Sequence, residues 1–348
     1  MIRTVLLGVG NSTSALVQGL EYYKTNNSKP GLWHNLVGKY GVSDIELVGA
    51  YDINKNKINS DVSEAIFTSP NQLEEYVKLK NCGIVVEKGI LEDDVNTNLK
   101  SSIDISTNST EAFKKSLLEK KPDVILNLIS SGLDTTSKKY AEIAFEVNSN
   151  FLNATPTNIA NDEKIINDFK NKNLILVGDD LMSQFGGTAF HKGIMNLINE
   201  RGIRVNKSYQ LDVGGGLETN NTLDENLRAI KRKVKSSTIE SELPYDVQTV
   251  SGTTDYVDFM GNSRTNYFWI EGDSFLGSKI TFDIYLRSKD GPNAGGLLLD
   301  LIRGIQYSRD LNESGNIKEL SNFGFKSTLF DNKLRNSYKE FFNKYIVN

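Results

Sequence analysis

Two glycines near the start of the chain have the spacing of a turn that binds a diphosphate. An apolar run over residues 4–7 ends at Gly8, Gly10 follows, and a helical pattern begins at once. Gly8 permits a tight turn, and Gly10 lets the backbone approach a pyrophosphate, whose charge a helix N-terminus favours. Thr13 occupies the third glycine position of the dinucleotide-binding fingerprint. An ordinary strand-to-helix turn is therefore the alternative interpretation.

An aspartate ends the next predicted strand, which covers residues 45–52. The carboxylate of Asp52 can accept both hydroxyls of an adenosine ribose and would repel a 2′-phosphate, which favours NAD over NADP. The usual interval from the glycines is about 20 residues. An insertion over residues 22–43 lengthens it here. The alternative for Asp52 is a turn residue at a strand end.

Three lysines in the second half of the chain could stabilise or move charge. Lys231 and Lys235 lie one turn apart on the same face if residues 223–235 are helical, and an anionic ligand would relieve their mutual repulsion. A solvated basic helix end is the alternative. Lys326 lies among glycine and aromatic residues, with no charged neighbour in its own stretch, and such a lysine is usually only solvated.

Two further strand ends carry small polar residues. The buried strand over residues 122–129 ends at Ser130, where a doubly wound sheet places ligand contacts. Residues 178–188 join another strand to a helix, so Ser183, Thr188 and local amides could hold a substrate phosphate. The alternative is an ordinary connection with a capping threonine.

The elements that must position these residues alternate between strand and helix up to about residue 200. Strands are predicted over residues 4–7, 45–52, 83–87, 122–129, 151–154 and 174–177, and helices over 71–79, 111–120, 135–147, 162–171 and 188–199, with a loop over 95–107. This rhythm predicts a Rossmann-type parallel sheet.

The pattern changes after about residue 204. Alternating polarity over residues 208–213, 267–271 and 279–286 predicts a second, mainly antiparallel sheet, and an apolar helix from residue 294 is expected to pack back onto the first domain. We therefore predict an α/β protein with a Rossmann-type NAD-binding domain plus an α+β domain with a mainly antiparallel sheet. The predicted limits are 1–200 for the NAD-binding domain, 201–293 for the second domain, to which the family resemblance given below assigns catalysis and oligomerisation, and 294–348 for the returning C-terminal segment.

Composition excludes several classes of function. The 348 residues carry a formal net charge of -4, which argues against a nucleic-acid partner. No apolar stretch is long enough to span a bilayer, and the N-terminus leads straight into a strand rather than a signal peptide. One cysteine, Cys82, fits a reducing compartment, so a cytoplasmic protein is expected. With only two histidines, a structural zinc site is not expected.

Short stretches along nearly the whole chain, in the same order, resemble the shorter bacterial form of the myo-inositol-phosphate synthases. Each stretch is short, and their colinearity is what makes the resemblance specific. The stretches cover residues 8–19, 21–23, 47–52, 153–156, 178–180, 183–184, 213–215, 231–235, 290–295 and 325–327.

The resemblance implies that the protein binds NAD and cyclises glucose 6-phosphate without net redox change. The implied steps are oxidation at C5, enolisation at C6, attack of C6 on the C1 aldehyde, and reduction at C5. Oxyanions that develop at O5 and O1 need fixed positive charge in a water-poor site. The resemblance also implies a homotetramer, and the apolar-leaning strands over residues 267–270 and 280–286 are consistent with a buried interface.

The resemblance assigns roles to residues at matching positions. Lys231 and Lys235 match a lysine pair, Asp290 a carboxylate that orients lysines, and Lys326 a lysine on the substrate phosphate or C1 oxygen. The implied catalytic residues are Asp180, Lys231, Lys235, Arg264, Asp290 and Lys326. The implied cofactor contacts are Gly8, Gly10, Asn11, Ser12, Thr13, Asp52, Ser130, Asn153, Thr155, Asp179 and Asp255. The implied phosphate contacts are Ser183, Gln184 and Thr188, and no metal ligand is implied.

Three departures from the family pattern fall around the substrate. Arg264 replaces a lysine, Gly216 an asparagine and Glu218 an aspartate. A cyclase of another sugar phosphate, such as fructose 6-phosphate closing to a five-membered ring, is therefore an alternative. An NAD-dependent sugar-phosphate dehydrogenase and a non-catalytic sensor are the other two.

Overall fold

A seven-stranded parallel sheet is the centre of the computed structural model, which describes residues 1–26, 29–95, 97–331 and 333–346. Its strands are β1 Ile2–Leu7, β2 Ile45–Asp52, β3 Val86–Lys88, β4 Val124–Asn127, β5 Asn150–Asn153, β6 Ile175–Val177 and β11 Gly315–Asn316. They lie in the order β3-β2-β1-β4-β5-β6-β11. The order from β3 to β6 is that of a dinucleotide-binding sheet, whose ligands lie at the carboxyl ends of the strands.

Helices cover both faces of this sheet because its strands are apolar on both sides. The helices before the second sheet are α1 Asn11–Thr25, α2 Val62–Ala65, α3 Thr97–Ser102, α4 Thr110–Lys120, α5 Asp134–Glu146, α6 Glu163–Asn171 and α7 Gly187–Glu200. Along β1, Leu6 belongs to the core that contains Leu16 of α1, whereas Leu7 belongs to the core that contains Phe113 of α4. This alternation from one face to the other follows from the pleat of the strand.

The second sheet has four strands and lies after α7. They are β7 Arg204–Gly214, β8 Gln248–Tyr256, β9 Ser263–Asp273 and β10 Lys279–Lys289, in the order β10-β9-β7-β8. Two helices, α8 Leu217–Asn221 and α9 Glu225–Glu240, join β7 to β8. A small core that includes Met195 of α7, Ile239 of α9 and Ile270 of β9 covers one face of this sheet.

Three helices end the chain: α10 Asp290–Asp310, α11 Lys318–Gly324 and α12 Leu334–Tyr345. α10 packs closely on α1, because a Cβ on Gly295 would lie only 3.1 Å from the Cβ of Ala15. The same close packing holds Gly291, in the first turn of α10, near the backbone oxygen of Asn11. The N-terminus of α10 therefore lies beside the glycine turn. The domain limits given above stay a prediction.

Two expectations about the elements are wrong, and one strand of the mainly antiparallel second sheet was not predicted. Residues 71–79 form no helix, because backbone N–H groups of Gln72 and Tyr76 donate to side chains of α1, Asn11 at 2.8 Å and Gln18 at 2.6 Å. Part of the loop predicted over 95–107 is the helix α3, whose Leu99 is buried. Strand β8 was not predicted, and it pairs in parallel with β7, so the second sheet is mixed.

No helix within the described residues has both the length and the apolar character needed to cross a membrane.

Candidate active site

The glycine turn after β1 has the geometry of a diphosphate cradle. Gly8 has a φ of +88°, and a Cβ there would lie 2.8 Å from the carbonyl oxygen of Leu128. Gly10, which precedes α1 and provides no side-chain cap, has nothing within 4 Å of an added Cβ. Thr13 lies underneath and donates from its hydroxyl to the Gly8 carbonyl at 2.5 Å. The turn thus needs Gly8 for its own shape, whereas Gly10 leaves room for a ligand at the helix N-terminus.

Asp52 and a buried lysine hold this turn from the side. The carboxylate of Asp52 accepts the backbone N–H of Val9 at 2.7 Å and that of Asn54 at 2.8 Å. Lys57 donates to the Val9 carbonyl at 2.7 Å and to the Asn71 side chain at 2.9 Å. Burial lowers the pKa of Lys57, although Asp52 opposes this effect. The turn, its open helix end and the neighbouring carboxylate together fit the diphosphate and ribose of a dinucleotide.

A cavity of about 340 Å³ extends from the glycine turn to Lys231, Lys235 and Lys326. Its wall contains most of the residues that the sequence singled out. They are Gly8, Gly10, Asn11, Ser12, Asp52, Ser130, Thr155, Asp180, Ser183, Lys231, Lys235, Arg264, Asp290 and Lys326. The fold therefore brings the ends of β1, β2, β4 and β5 together with α9, β9 and α10.

The two lysines of α9 lie on the cavity side, and each has a carboxylate partner. Lys231 is paired with Glu218, which also accepts the Ser131 hydroxyl at 2.6 Å. Lys235 donates to Asp212 at 2.7 Å. Carboxylates from β7 and α8 therefore already offset the repulsion between the two ammoniums, and an anionic ligand at this site stays a prediction.

Arg264 connects two carboxylates at the edge of the cavity. Its Nε donates to Asp290 at 2.8 Å, its Nη2 to the Thr219 hydroxyl at 3.1 Å, and its Nη1 lies 3.8 Å from Asp212. Although burial favours the neutral form, Asp290 and Asp212 raise the pKa of Arg264 above its usual value. Asp290 thus contacts the arginine, and the carboxylate that contacts Lys235 is Asp212 instead.

Lys326 is paired across the fold with Asp180, at 2.7 Å. Only 12% of its side chain is exposed, so the description of a solvated lysine does not hold. Burial lowers the pKa of Lys326, Asp180 opposes this, and the ammoniums of Lys235 and Lys231 lower it further. A cation in such surroundings gains strongly from an additional anionic partner.

The structure does not bring six predicted site residues to the cavity wall. Asn153 and Asp179 lie under the strand ends, where Asn153 donates to Asp179 at 2.7 Å, and burial raises the pKa of Asp179 to about 6. Asp255 is exposed on β8. Gln184 donates to the Gly31 carbonyl at 3.1 Å, away from Ser183. The remaining two are Thr13, described above, and Thr188, which is buried within α7.

Two charged residues at the site were not predicted from the sequence. Lys57 had no periodic signal, because it follows β2 in an irregular segment. Asp212 did have a periodic signal. Every second residue of β7 is polar and buried, namely Ser208, Gln210 and Asp212, whereas Leu211 is 37% exposed. Polar residues at every second position of a strand marked the inner face in this case.

Comparisons with known proteins agree on one family. A family model described as Myo-inositol-1-phosphate synthase matches residues 186–291. The inositol-3-phosphate synthase of Corynebacterium glutamicum is 32% identical over 337 residues, which cover 94% of this chain and 93% of that protein. A myo-inositol-1-phosphate synthase-related protein from Thermotoga maritima has a crystal structure with a TM-score of 0.83 and 25% identity, covering 99% of this chain and 98% of that one. The crystal structure of Ari2 has a TM-score of 0.78 and 27% identity, with 98% of both chains covered.

Proposed function

Because this chain belongs to the inositol-3-phosphate synthase family, whose members are isomerases, we propose that it cyclises glucose 6-phosphate to myo-inositol phosphate without net redox change. The observation that carries this proposal is the cavity that joins a dinucleotide-type glycine turn to four cationic side chains. A dehydrogenase needs the cofactor site, but ring closure also needs several fixed charges around one sugar.

NAD is the cofactor that we propose. When bound, NAD supplies the hydride acceptor, and then the hydride donor, at C5 of the sugar. In the chain itself, the amides at the start of α1 would bind the diphosphate, and Gly10 leaves the space for it. Asp52 would accept the adenosine ribose hydroxyls and repel a 2′-phosphate. We therefore expect NAD to bind more tightly than NADP in calorimetry, and equal affinities would contradict this role of Asp52.

The cations divide the remaining work. Lys231 would accept the C6 proton while Lys235 stabilises the oxyanion at O5. Lys326 would neutralise the substrate phosphate or the C1 oxygen, because its buried amine gains from an anion. Arg264 stays protonated and would act by charge alone, since a guanidinium does not readily release a proton. Ser183, which lies on the cavity wall, would donate to the phosphate.

A homotetramer is the proposed assembly, and the outer face of the second sheet supports it. Tyr209 and Trp269 stack there at 5.4 Å between ring centroids, Tyr267 lies 4.9 Å from Tyr285, and Tyr285 is 67% exposed. Aromatic side chains on an open sheet face are typical of a protein–protein interface.

A substrate panel tests the proposed function. The protein is incubated with NAD and single hexose phosphates, including glucose 6-phosphate and fructose 6-phosphate, and products are read by phosphorus NMR while the absorbance of NADH is followed. We expect a cyclitol phosphate from glucose 6-phosphate with no accumulated NADH. Conversion of fructose 6-phosphate alone would establish the variant cyclase, the alternative that Arg264, Gly216 and Glu218 raise. Accumulated NADH would establish a dehydrogenase, and ligand binding without product would establish a sensor.

A further inference from the structure

Asp212 lies directly beneath the cavity and contacts two of its cations. Its side chain is 1% exposed. One of its oxygens accepts from Lys235 at 2.7 Å and lies 3.8 Å from the guanidinium of Arg264. Although burial favours the neutral acid, Lys235 and Arg264 hold the pKa of Asp212 below its usual value. The buried carboxylate is therefore charged, and water does not screen it.

A chain of hydrogen bonds fixes this carboxylate from the opposite side. The other oxygen of Asp212 accepts from Gln210 at 2.7 Å and from Asn266 at 2.5 Å. The amide nitrogen of Gln210 donates to Asp212, so the amide oxygen of Gln210 is the atom that lies 3.1 Å from Nδ1 of His191. Because an amide oxygen only accepts, Nδ1 carries the proton. The Nε2 atom of His191 then accepts from the Ser208 hydroxyl at 2.5 Å. Burial lowers the pKa of His191 to about 4, which keeps the ring neutral in this arrangement.

The packing of α7 holds the same network in place. A Cβ on Gly187, the first residue of α7, would overlap the side-chain amides of Gln210 and Asn266. The helix therefore lies against the two amides that donate to Asp212. Because each member of the network is buried and bonded, the carboxylate has one position relative to the cavity.

We propose that Asp212 is a positioning residue that holds the side chains of Lys235 and Arg264 in place and directed at the substrate, an inference that rests on the proposed cyclase function. A lysine ammonium has three N–H donors, so the bond to Asp212 leaves two for a substrate oxyanion. Asp212 itself does not reach the cavity wall and takes no part in bond making. Its contribution is to fix the geometry of two charges before the substrate arrives, which removes the cost of reorganising them during the reaction.

The variant D212N tests this inference because asparagine has nearly the same shape. Its amide oxygen can still accept from Gln210 and Asn266, but its amide nitrogen would face the ammonium of Lys235, donor against donor. We expect kcat to fall about 10²-fold or more, while the dissociation constant of NAD changes little, since the side chain of Asp212 contacts the cations and amides of the second sheet and α9 rather than the glycine turn. A role limited to stability would lower the melting temperature without this selective loss of kcat.

Glu242→Gln is the matched control. Glu242 is also a fully buried carboxylate near a buried lysine, Lys192 at 3.5 Å, and it accepts the backbone N–H of Leu334 at 3.0 Å. It does not line the cavity. We expect E242Q to lose stability as D212N does and to keep the kcat of the wild type. Equal kcat values for D212N and E242Q would overturn the inference.

A measurement without turnover separates this inference from the proposed function. Limited acetylation with acetic anhydride, followed by mass spectrometry, compares the amine reactivity of Lys235 and Lys231 in wild type and D212N. We expect Lys235 to react faster in D212N, because the carboxylate no longer engages its amine in a hydrogen bond, and Lys231, which pairs with Glu218, to be unchanged. Unchanged labelling of Lys235 would overturn the inference. Absence of turnover in the wild type with every hexose phosphate would overturn the function and leave the labelling result standing.

A double variant covers the case in which D212N does not fold. D212N/K235M removes the ammonium together with its carboxylate, so that no charge of the pair is left buried and unpaired. If Asp212 acts mainly through Lys235, the loss of its charge costs little further kcat once Lys235 is replaced, so the double variant is compared with K235M alone. A kcat equal to that of K235M supports the inference, and a further loss as large as that of an independent site contradicts it.

Discussion

Replacing Gly10 with alanine separates binding of the cofactor from stability of the fold. An alanine Cβ at this position meets no protein atom within 4 Å, and Gly10 has an ordinary φ of -89°. Alanine restricts the unfolded chain more than glycine does, which stabilises the folded protein by about 0.4–1 kcal/mol. Alanine is also a poorer helix N-cap than glycine, which costs a similar amount. We therefore expect a free energy of unfolding within about 1 kcal/mol of the wild type.

The same methyl group would occupy the space where the backbone approaches a diphosphate. A hydrogen bond between a backbone amide and a charged phosphate contributes about 1.5–3 kcal/mol. If the methyl group prevents such bonds, we expect NAD to bind roughly 10-fold to 100-fold more weakly. Titration calorimetry with NAD measures the affinity, and chemical denaturation without ligand measures the stability.

Gly8→Ala is the contrasting control in the same turn. Its φ of +88° and the 2.8 Å approach to the Leu128 carbonyl both penalise a Cβ. The left-handed backbone alone costs about 1–2 kcal/mol, so this variant should be clearly destabilised before any ligand is added. If Gly10→Ala bound NAD with wild-type affinity, or if it were destabilised as strongly as Gly8→Ala, our interpretation of the turn as a diphosphate cradle would be refuted.

Three other outcomes concern the lysines, the assembly and a buried histidine. Lys231→Arg is expected to lower kcat by about 10²–10³-fold, because arginine keeps the charge but cannot accept the C6 proton, whereas Lys326→Arg should mainly raise KM. A near-wild-type kcat for Lys231→Arg in steady-state kinetics would exclude Lys231 as the proton acceptor. Light scattering at micromolar concentration should give a tetramer for the wild type and smaller species for Tyr285→Lys, and a monomeric wild type would defeat the proposed interface. Burial lowers the pKa of His191 from 6.5 to about 4. Between these pH values the unfolded chain therefore binds more protons than the folded protein. The free energy of unfolding falls as the pH decreases through that window, by up to roughly 3 kcal/mol. Denaturant unfolding at several pH values should show a shallower decrease for His191→Gln, and an identical decrease would show that another group causes it.

Local patterns in the sequence were sufficient for six of the seven strands of the first sheet and for the glycine turn, whereas β11 was not predicted. The glycines at 8 and 10, the apolar run before them and the aspartate that ends β2 each depend on backbone geometry and on periodicity within a few residues. Such features survive in the fold because a parallel strand buried on both faces needs a continuous apolar run. The α/β fold class is confirmed, and Gly8, Gly10 and Asp52 lie together at the cavity wall.

Predictions failed where tertiary contacts override local preference. Residues 71–79 have a helical pattern, but side chains of α1 take their backbone N–H groups. Strand β7 was predicted correctly from its alternation, but the alternation did not show which face is buried: Ser208 and Gln210 are buried and Leu211 is exposed. The inner face is polar because it contains the network beneath the cavity, and conflicts between pattern and fold are expected at functional sites.

Partners of the charged residues were decided only by the tertiary structure. In sequence Lys326 has no charged neighbour, but the fold places it 2.7 Å from Asp180, which is 146 positions away. Likewise Lys235 and Arg264, from α9 and β9, meet at Asp212 of β7. The sequence alone identified Lys231, Lys235, Arg264 and Lys326 as candidate site cations, and the turn that a dinucleotide would need, but it did not identify Lys57. Which carboxylate holds each cation depends on how separate elements pack, because electrostatic pairing acts through space and has no period along the chain.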